Sequence, residues 1–215
     1  SATNVPCHYF ECDNESDLSS IDVASSPMGS RCYVINSGKT YDDSQIEQVA
    51  NLINNSVRPY IYAGGGIISS ESCQEVKTFA EKANIPVGVS LMAKSAFPAN
   101  HPLATGMIGM HGTKASNTAI NKADLVIVLG ARFSDRVISD PSKFAVNTKF
   151  IHIDIDSAEI NKNIKTCASI IGNLKDILTK LIPLVKERKK SEWNDYVSEL
   201  KSHIPPMYTK KTALH

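Results

Sequence analysis

The stretch PYIYAGGGIISSESCQEVKTFAEKANIPVGV, residues 59–89, decides the fold class of this chain. It starts with a short apolar run at residues 59–63, which three glycines terminate, and it ends with a second apolar run at residues 85–89. Between the two runs, apolar residues recur at the spacing of one helix face: Val76, Phe79, Ala80 and Ala83. A buried strand, an amphipathic helix and another buried strand in this order predict two parallel strands joined by a helix.

The same alternation of strands and helices continues on both sides of this stretch. Apolar runs predict three further strands, at residues 125–129, 149–153 and 168–171. Helical periodicity predicts an opening helix around residues 46–53, a helix at residues 113–122 and a closing helix at residues 174–185. Because the strands lack polar alternation, helices must cover both faces of the sheet. We therefore predict an α/β fold, a three-layer, doubly wound sandwich around a mainly parallel sheet of about six strands.

Three segments follow from the distribution of these patterns. Residues 1–38 are rich in Ser, Asp, Asn and Pro without a sustained period, which predicts an N-terminal arm or interdomain linker. Residues 39–188 hold the alternating pattern and are the predicted ligand-binding domain; within them, residues 90–112 show no helix pattern and predict a long structured loop. Residues 189–215 contain one more amphipathic segment, around Trp193, and are predicted to form a linker helix and tail.

Charge and composition exclude several classes of function. The chain has 23 Lys and Arg against 22 Asp and Glu, so no broad positive field favours a nucleic acid or an anionic membrane as partner. No apolar run approaches the roughly 20 residues of a membrane-spanning helix. The 5 cysteines are odd in number and irregular in spacing, without the pattern of a zinc site. We expect reduced thiols in a cytoplasmic protein, and no metal site.

Four predicted strand ends carry unusual residues, at the edge where open parallel sheets bind ligands. At the first end, Gly64, Gly65 and Gly66 allow backbone N–H groups to approach a phosphate beside a helix N-terminus. The motif departs from the GxGxxG fingerprint of dinucleotide sites, so a plain tight turn is the alternative.

The second end is GMIGMHG, residues 106–112, in which glycines recur every three residues around two methionines. This spacing lets backbone press against a flat ligand while methionine side chains pack on the face of its ring. His111 is a candidate for proton transfer, but a lone histidine is more often a hydrogen-bonded structural residue.

The third and fourth ends carry charged side chains. After residues 125–129, Arg132 can bind phosphate bidentately, and Asp135 can orient it or accept from a ligand hydroxyl; a surface ion pair is the alternative. After residues 149–153, Asp154 is placed to accept both hydroxyls of a ribose, whereas Asp156 is suited to capping the next helical turn.

The four ends together predict a site for an adenine dinucleotide. They supply neither a nucleophile with its base nor a cluster of metal ligands, so we assign no catalytic residue and no metal ligand. The sequence predicts a binding site and not a reaction centre.

Five stretches resemble the central domain of the biosynthetic acetolactate synthases, also called acetohydroxyacid synthases: RPYIYAGGGI, ANIPVGVSLMAKSAFP, GMIGMHGTKASN, ADLVIVLGARFSDRV and FIHIDIDSAEINKN. The likeness covers about residues 58–178, and GMHGT together with RFSDR is its specific part. The resemblance implies a domain that holds FAD, which the net reaction does not consume. It also implies flanking domains of the same polypeptide that bind thiamine diphosphate and magnesium.

The full enzyme implied by this resemblance joins two pyruvates, or pyruvate and 2-oxobutyrate, in the biosynthesis of the branched-chain amino acids isoleucine and valine. Such enzymes form homodimers or tetramers and bind a regulatory subunit. Because the thiamine-binding domains are not part of this sequence, we expect the chain alone to be inactive as a synthase.

The resemblance also assigns residues by position. The implied FAD contacts are Gly64, Gly65, Gly66, Ser90, Leu91, Met92, Gly109, Met110, His111, Gly112, Thr113, Gly130, Arg132, Asp135, Val137, Asp154, Ile155 and Asn173. The residues implied to line the substrate and inhibitor channel are Met110, His111 and Arg136. The sequence departs from the family's pattern at three places: residues 92–95 read MAKS in place of MGLG, and Ser134 and Asn173 each replace an aspartate.

Two alternatives stay open. One is a stand-alone nucleotide-binding or regulatory module on the same fold, using NAD or an adenine nucleotide. The other is the central domain of a different thiamine-dependent enzyme, such as a pyruvate oxidase or a glyoxylate carboligase, against which RFSDR and HIDIDSAEI argue. The parent reading frame separates the module from the enzymes, because only the enzymes carry thiamine-binding motifs beside this domain.

Overall fold

The computed structural model describes residues 9–12, 33–36, 41–133, 137, 144–145 and 147–202, and the chain divides into two units, Ser1–Asp42 and Asp43–His215. In the first unit, β1 (Tyr9–Cys12) pairs in parallel with β2 (Tyr33–Asn36). These strands lie in the segment predicted as an arm or linker, where four-residue strands are too short to give a periodic signal. The other residues of the segment 1–38 lie outside the described part of the chain.

The second unit is built on a six-stranded sheet in which all neighbouring strands are parallel. Its strands are β3 (Pro59–Ala63), β4 (Val87–Val89), β5 (Ala104–Met107), β6 (Leu125–Leu129), β7 (Lys149–Asp154) and β8 (Ala168–Ile171). Its helices are α1 (Asp43–Asn55), α2 (Gly66–Ser69), α3 (Cys73–Ala83), α4 (Lys114–Lys122), α5 (Leu174–Leu184) and α6 (Glu192–Ser202). Helices cover both faces of the sheet, which confirms the predicted α/β class.

The order of the strands is β5-β4-β3-β6-β7-β8. β3 and β6 are the two central strands. β4 and then β5 lie beside β3, and β7 and then β8 lie beside β6. β3 and β6 are in register from Pro59 beside Leu125 to Ala63 beside Leu129, and both are buried along their whole length. Doubly wound dinucleotide-binding folds share this order, and their ligand crevice opens beyond the carboxyl ends of the central strands, where the direction reverses.

The edge strand β5 lies within residues 90–112, so the prediction of an uninterrupted loop is wrong for residues 104–107. Only Ala104 and Thr105 of this strand are buried, and its pairing with β4 shifts register between Val87 and Gly88. A four-residue edge strand with an internal glycine gives little local signal, because its hydrogen bonds come from the partner strand. A 3₁₀ turn, Leu91–Ala93, also falls in this segment.

Helix α6 packs against α4 and buries its apolar face. Trp193 and Val197 are 5% and 3% exposed and belong to a core cluster with residues of β3, α4 and β6. The Trp193 Nε1–H group donates to the Pro59 carbonyl at 2.9 Å, and the Asn194 side-chain amide donates to the Asn84 carbonyl at 2.9 Å. The segment predicted as a linker helix therefore supplies core side chains. None of the described helices is long and apolar enough to cross a membrane.

Candidate functional site

Two glycine-containing turns meet where the strand order reverses. The Gly64 amide donates to the Leu129 carbonyl at 2.9 Å, and the Gly66 amide donates to the Gly130 carbonyl at 3.0 Å. A Cβ atom on Gly64 would lie 2.0 Å from the Gly130 oxygen, and one on Gly66 would lie 2.8 Å from the Gly130 Cα. Side chains at these positions would force the turns apart, so Gly64 and Gly66 serve close backbone contact.

Gly65, the middle glycine, faces away from this contact. A Cβ atom built on it would meet only Met92, whose Cβ lies 3.2 Å away and whose carbonyl oxygen lies 3.8 Å away. The Gly65 amide donates no hydrogen bond to the described residues, which leaves one backbone donor available to a ligand. The helix behind it, α2, ends at Ser69 after a single turn, so the helix dipole predicted to assist phosphate binding is short.

The segment of residues 106–113, from the last two residues of β5 to the cap of α4, is shaped by glycines and fixed by side chains. Gly106 and Gly109 have φ values of +103° and +108°, a conformation that favours glycine. Asn117 holds both sides of Gly109, accepting from its amide at 2.9 Å and donating to its carbonyl at 2.9 Å. Thr113 caps α4 by accepting from the Ser116 amide at 3.0 Å. Met110 and His111 are exposed at the tip of this loop.

In the described part of the chain, large apolar side chains that follow β4, β5 and β7 are exposed around these turns. Leu91, Met92, Met110 and Ile155 are 62%, 75%, 68% and 46% exposed. They follow the carboxyl ends of β4, β5 and β7, so they lie at the same edge of the sheet, and we call them the apolar rim. Burial of one such side chain under a ligand contributes about 1.5–3 kcal/mol, and exposed apolar patches often mark interaction sites.

Arg132 follows β6 and forms ion pairs across the crevice. Its Nη2 lies 3.8 Å from Asp156 Oδ2, and its Nε lies 3.6 Å from Glu159 Oε1. The Arg132 side chain is 48% exposed, so the guanidinium is accessible to a phosphate as well as to these carboxylates. Asp156 also accepts from the Ala158 amide at 3.0 Å, which confirms its predicted capping of the turn Ser157–Glu159.

Asp154 ends β7 at this edge, and the residue is 9% exposed. Its Oδ1 accepts from the Asp156 amide at 3.0 Å, and its Oδ2 lies 3.6 Å from His152 Nε2. His152 is 1% exposed, and its Nε2 has no hydrogen-bond partner in the described part of the chain. The carboxylate thus has one oxygen committed to the backbone and one adjacent to a buried ring nitrogen.

The remaining predicted positions are distributed around the same edge. Ser90 donates its amide to the Ala63 carbonyl at 2.8 Å, next to the triple glycine. Asn173 caps α5 by accepting from the Lys175 amide at 2.9 Å, and Gly172 before it donates to the Asp154 carbonyl at 3.0 Å. Val137 packs against the core cluster. Asp135 and Arg136 lie outside the described residues.

Sequence reasoning missed three polar residues of this edge: Asn117, His152 and Glu159. His152 alternates with Asp154 along β7 and Glu159 sits in the SAE turn, so both lie within motifs already singled out. Asn117 stands four residues after the cap Thr113, a spacing that places it one turn into α4. Among the described residues, no group of three or more His, Cys, Asp and Glu could hold a metal ion.

Comparisons with known proteins agree with this architecture. Residues 46–181 match the family described as "Thiamine pyrophosphate enzyme, central domain". The chain is 48% identical over 167 residues to a probable acetolactate synthase large subunit of Methanocaldococcus jannaschii, covering 76% of this chain and 28% of that protein. It is 41% identical over 165 residues to the acetolactate synthase isozyme 1 large subunit of Escherichia coli, covering 77% and 29%.

A third relative is the acetolactate synthase large subunit of Corynebacterium glutamicum, 41% identical over 172 residues, which cover 78% of this chain and 28% of that protein. The chain therefore spans less than a third of the length of these curated relatives. The resemblance drawn from the five sequence stretches is confirmed at the level of the family.

Proposed function

The chain belongs to the thiamine pyrophosphate enzyme central-domain family, and on that premise we propose that it is the FAD-binding central domain of an acetolactate synthase. The observation that carries the FAD proposal is the coincidence at one sheet edge of a free backbone donor, an exposed guanidinium, a carboxylate and the apolar rim. A phosphate-containing dinucleotide with a large flat ring needs these four kinds of group.

Each group has a task in this proposal. The Gly65 amide and Arg132 are suited to the diphosphate, because both offer N–H donors to an anion. Asp154 is suited to the ribose hydroxyls, since a carboxylate accepts two hydrogen bonds. The apolar rim is suited to the flavin ring, on which methionine side chains pack readily. Asp135, Val137 and Asn173 remain proposed contacts, and Arg136 with Met110 and His111 the proposed channel residues.

For the parent protein we propose the acetolactate synthase activity named for its relatives. By the family resemblance, this is the joining of two pyruvates, or of pyruvate and 2-oxobutyrate, in branched-chain amino-acid biosynthesis in the cytoplasm. Thiamine diphosphate and magnesium would bind in flanking domains and supply the carbon–carbon bond chemistry. The name "large subunit" of the relatives supports a second, regulatory subunit as partner. Homodimers or tetramers of the parent protein are part of the same proposal.

The experiment is a thermal unfolding series of the 215-residue chain with FAD and, separately, with NAD. A ligand at about 100 times its dissociation constant adds roughly 2.7 kcal/mol, which raises the melting temperature of a chain of this size by about 5–10 °C. We expect this shift with FAD. A folded sample that does not respond to millimolar FAD would contradict the proposal, and a response to NAD alone would favour a stand-alone nucleotide module.

A matched pair of variants locates the site. Among the described residues, Met92 and Val57 are the most exposed of the large apolar side chains, at 75% and 70%, but Val57 precedes β3 and so lies at the opposite edge of the sheet. Met92→Ser should reduce the FAD-induced shift, whereas Val57→Ser should leave it unchanged. Equal effects of the two substitutions would place the flavin elsewhere.

A further inference from the structure

Four hydroxyl groups connect the centre of the sheet to the loop that carries Met110 and His111. The Oη atom of Tyr60, on β3, lies 2.6 Å from Thr105 Oγ1, on β5. Thr105 Oγ1 lies 2.8 Å from Ser116 Oγ, which lies 3.0 Å from Thr113 Oγ1. Tyr60, Thr105 and Ser116 are buried, and we call the four side chains the hydroxyl chain.

The direction of these hydrogen bonds follows from counting protons. Thr105 Oγ1 donates its only proton to the Val87 carbonyl at 3.0 Å, so Tyr60 must donate to Thr105. Thr113 donates its proton to the Thr105 carbonyl at 2.7 Å and accepts from the Ser116 amide. The Ser116 hydroxyl then has two acceptors within reach, Thr105 Oγ1 at 2.8 Å and Thr113 Oγ1 at 3.0 Å, and we assign its proton to the shorter contact. Thr105 thereby donates once and accepts twice, which satisfies all its hydrogen-bonding capacity.

The missing side chain of Gly88 leaves the space through which the Tyr60 phenol reaches Thr105. β4 lies between β3 and β5, and a Cβ atom on Gly88 would lie 2.2 Å from Tyr60 Oη. Only a residue without a side chain allows the phenol to cross β4 at this point. Three strands and the start of α4 are thus joined through one buried hydroxyl, that of Thr105.

We propose that Tyr60 and Thr105 are positioning residues, which fix the loop of residues 106–113 in its ligand-binding conformation before the ligand arrives. The loop contains two glycines with positive φ, so its own backbone specifies its shape weakly. Its end is fixed by Thr113, which donates its amide to the Met107 carbonyl at 2.8 Å and its hydroxyl to Thr105. A preformed loop avoids the cost of ordering on binding. That the ligand is a flavin rests on the proposed function.

The test is hydrogen–deuterium exchange of the loop amides in the full chain without ligand. Tyr60→Phe removes one donor to Thr105, and we expect the Gly112 and Thr113 amides to exchange roughly fivefold faster, as after loss of one ordinary hydrogen bond. The control is Tyr62→Phe, the same change on the same strand. The Tyr62 hydroxyl makes a long 3.5 Å contact with the Arg132 carbonyl, so this variant should leave loop exchange unchanged.

A second pair of variants separates positioning from general destabilisation. Thr105→Ser keeps the hydroxyl and should retain slow loop exchange, whereas Thr105→Val removes it and should reproduce the effect of Tyr60→Phe. Unchanged loop exchange in Tyr60→Phe, or a uniform increase across the sheet, would overturn the proposal. The exchange experiment contains no ligand, so its result does not depend on FAD binding. A failure of FAD to bind would contradict the proposed function, but the exchange rates would still test the positioning of the loop.

Discussion

Gly66 and Gly130 touch backbone to backbone across the two central strands of the sheet. The Gly66 amide donates to the Gly130 carbonyl at 3.0 Å, and a Cβ atom on Gly130 would lie 2.7 Å from the Gly66 Cα. The turn after β3 and the turn after β6 are therefore in direct main-chain contact at the base of the crevice. A ligand that spans the reversal of strand order would meet the remaining glycine, Gly65, and not the pair beneath it.

Gly130→Ala should destabilise the fold. Gly130 has φ +55°, a conformation that costs a non-glycine residue about 1–3 kcal/mol, and the new Cβ would collide with the Gly66 backbone. We expect the free energy of unfolding in urea to fall by at least that amount. The control is Gly65→Ala, whose φ of −62° suits alanine, and which should change stability by less than about 1 kcal/mol. Similar losses in both variants would refute this packing role.

Asp154→Asn should weaken FAD binding without unfolding the protein. The amide keeps an oxygen that can accept from the Asp156 amide, but its NH₂ group cannot accept from a ribose hydroxyl. Loss of one hydrogen bond to a charged acceptor predicts an increase in the dissociation constant of roughly tenfold or more, measured by flavin fluorescence titration. Asp195→Asn is the control, because Asp195 pairs with Lys190 on the surface. Identical affinities for the two variants would exclude Asp154 as a contact.

Trp193→Ala should destabilise the domain although Trp193 lies beyond the residues that match the family. Trp193 is 5% exposed and donates to the Pro59 carbonyl, so its removal leaves both a cavity and an unpaired carbonyl. We expect a loss of about 3–5 kcal/mol in denaturant unfolding followed by circular dichroism. Tyr196→Ala, on the same helix but 37% exposed, should cost about 1 kcal/mol or less. If Trp193→Ala lowered the free energy of unfolding by less than about 1 kcal/mol, α6 would be a linker helix and not a part of the core.

Alkaline pH should destabilise the protein through Tyr60. Burial raises the pKa of Tyr60 to about 12 from the ordinary value of 10.0, so the folded state keeps a proton that the unfolded state releases. The contribution to stability is complete below pH 10 and is lost as the pH rises toward 12, by roughly 2–3 kcal/mol. Urea unfolding between pH 9 and 12 should show this decline, and Tyr60→Phe should make the slope shallower. Parallel slopes for both proteins would contradict it.

The sequence predicted those elements whose signal is local. Residues 59–63 and 125–129 are unbroken apolar runs, and both form fully buried strands. Thr113 was predicted to begin a helix, and it caps α4 through its hydroxyl. Asp156 was predicted to be a cap and is one. Each of these features depends on neighbours within a few residues along the chain.

Features that depend on distant partners were missed or incompletely predicted. The edge strand β5 owes its hydrogen bonds to β4, and its own four residues do not specify a strand. The contact of His152 with Asp154 was overlooked because a histidine between apolar residues is as compatible with simple burial. The contribution of Trp193 to the core could not be read from its helix, since the Pro59 carbonyl that it binds belongs to β3.

The sequence by itself determined the α/β class, the central strands and the family resemblance, because hydrophobic periodicity and short motifs are properties of contiguous residues. Only the tertiary structure decided what each glycine does. Gly64 and Gly66 pack against the turn at Gly130, whereas a Cβ atom on Gly65 would meet Met92 and its amide donates to none of the described residues. That division depends on the distance between two turns far apart in the chain, which packing of the whole sheet sets and no local pattern encodes.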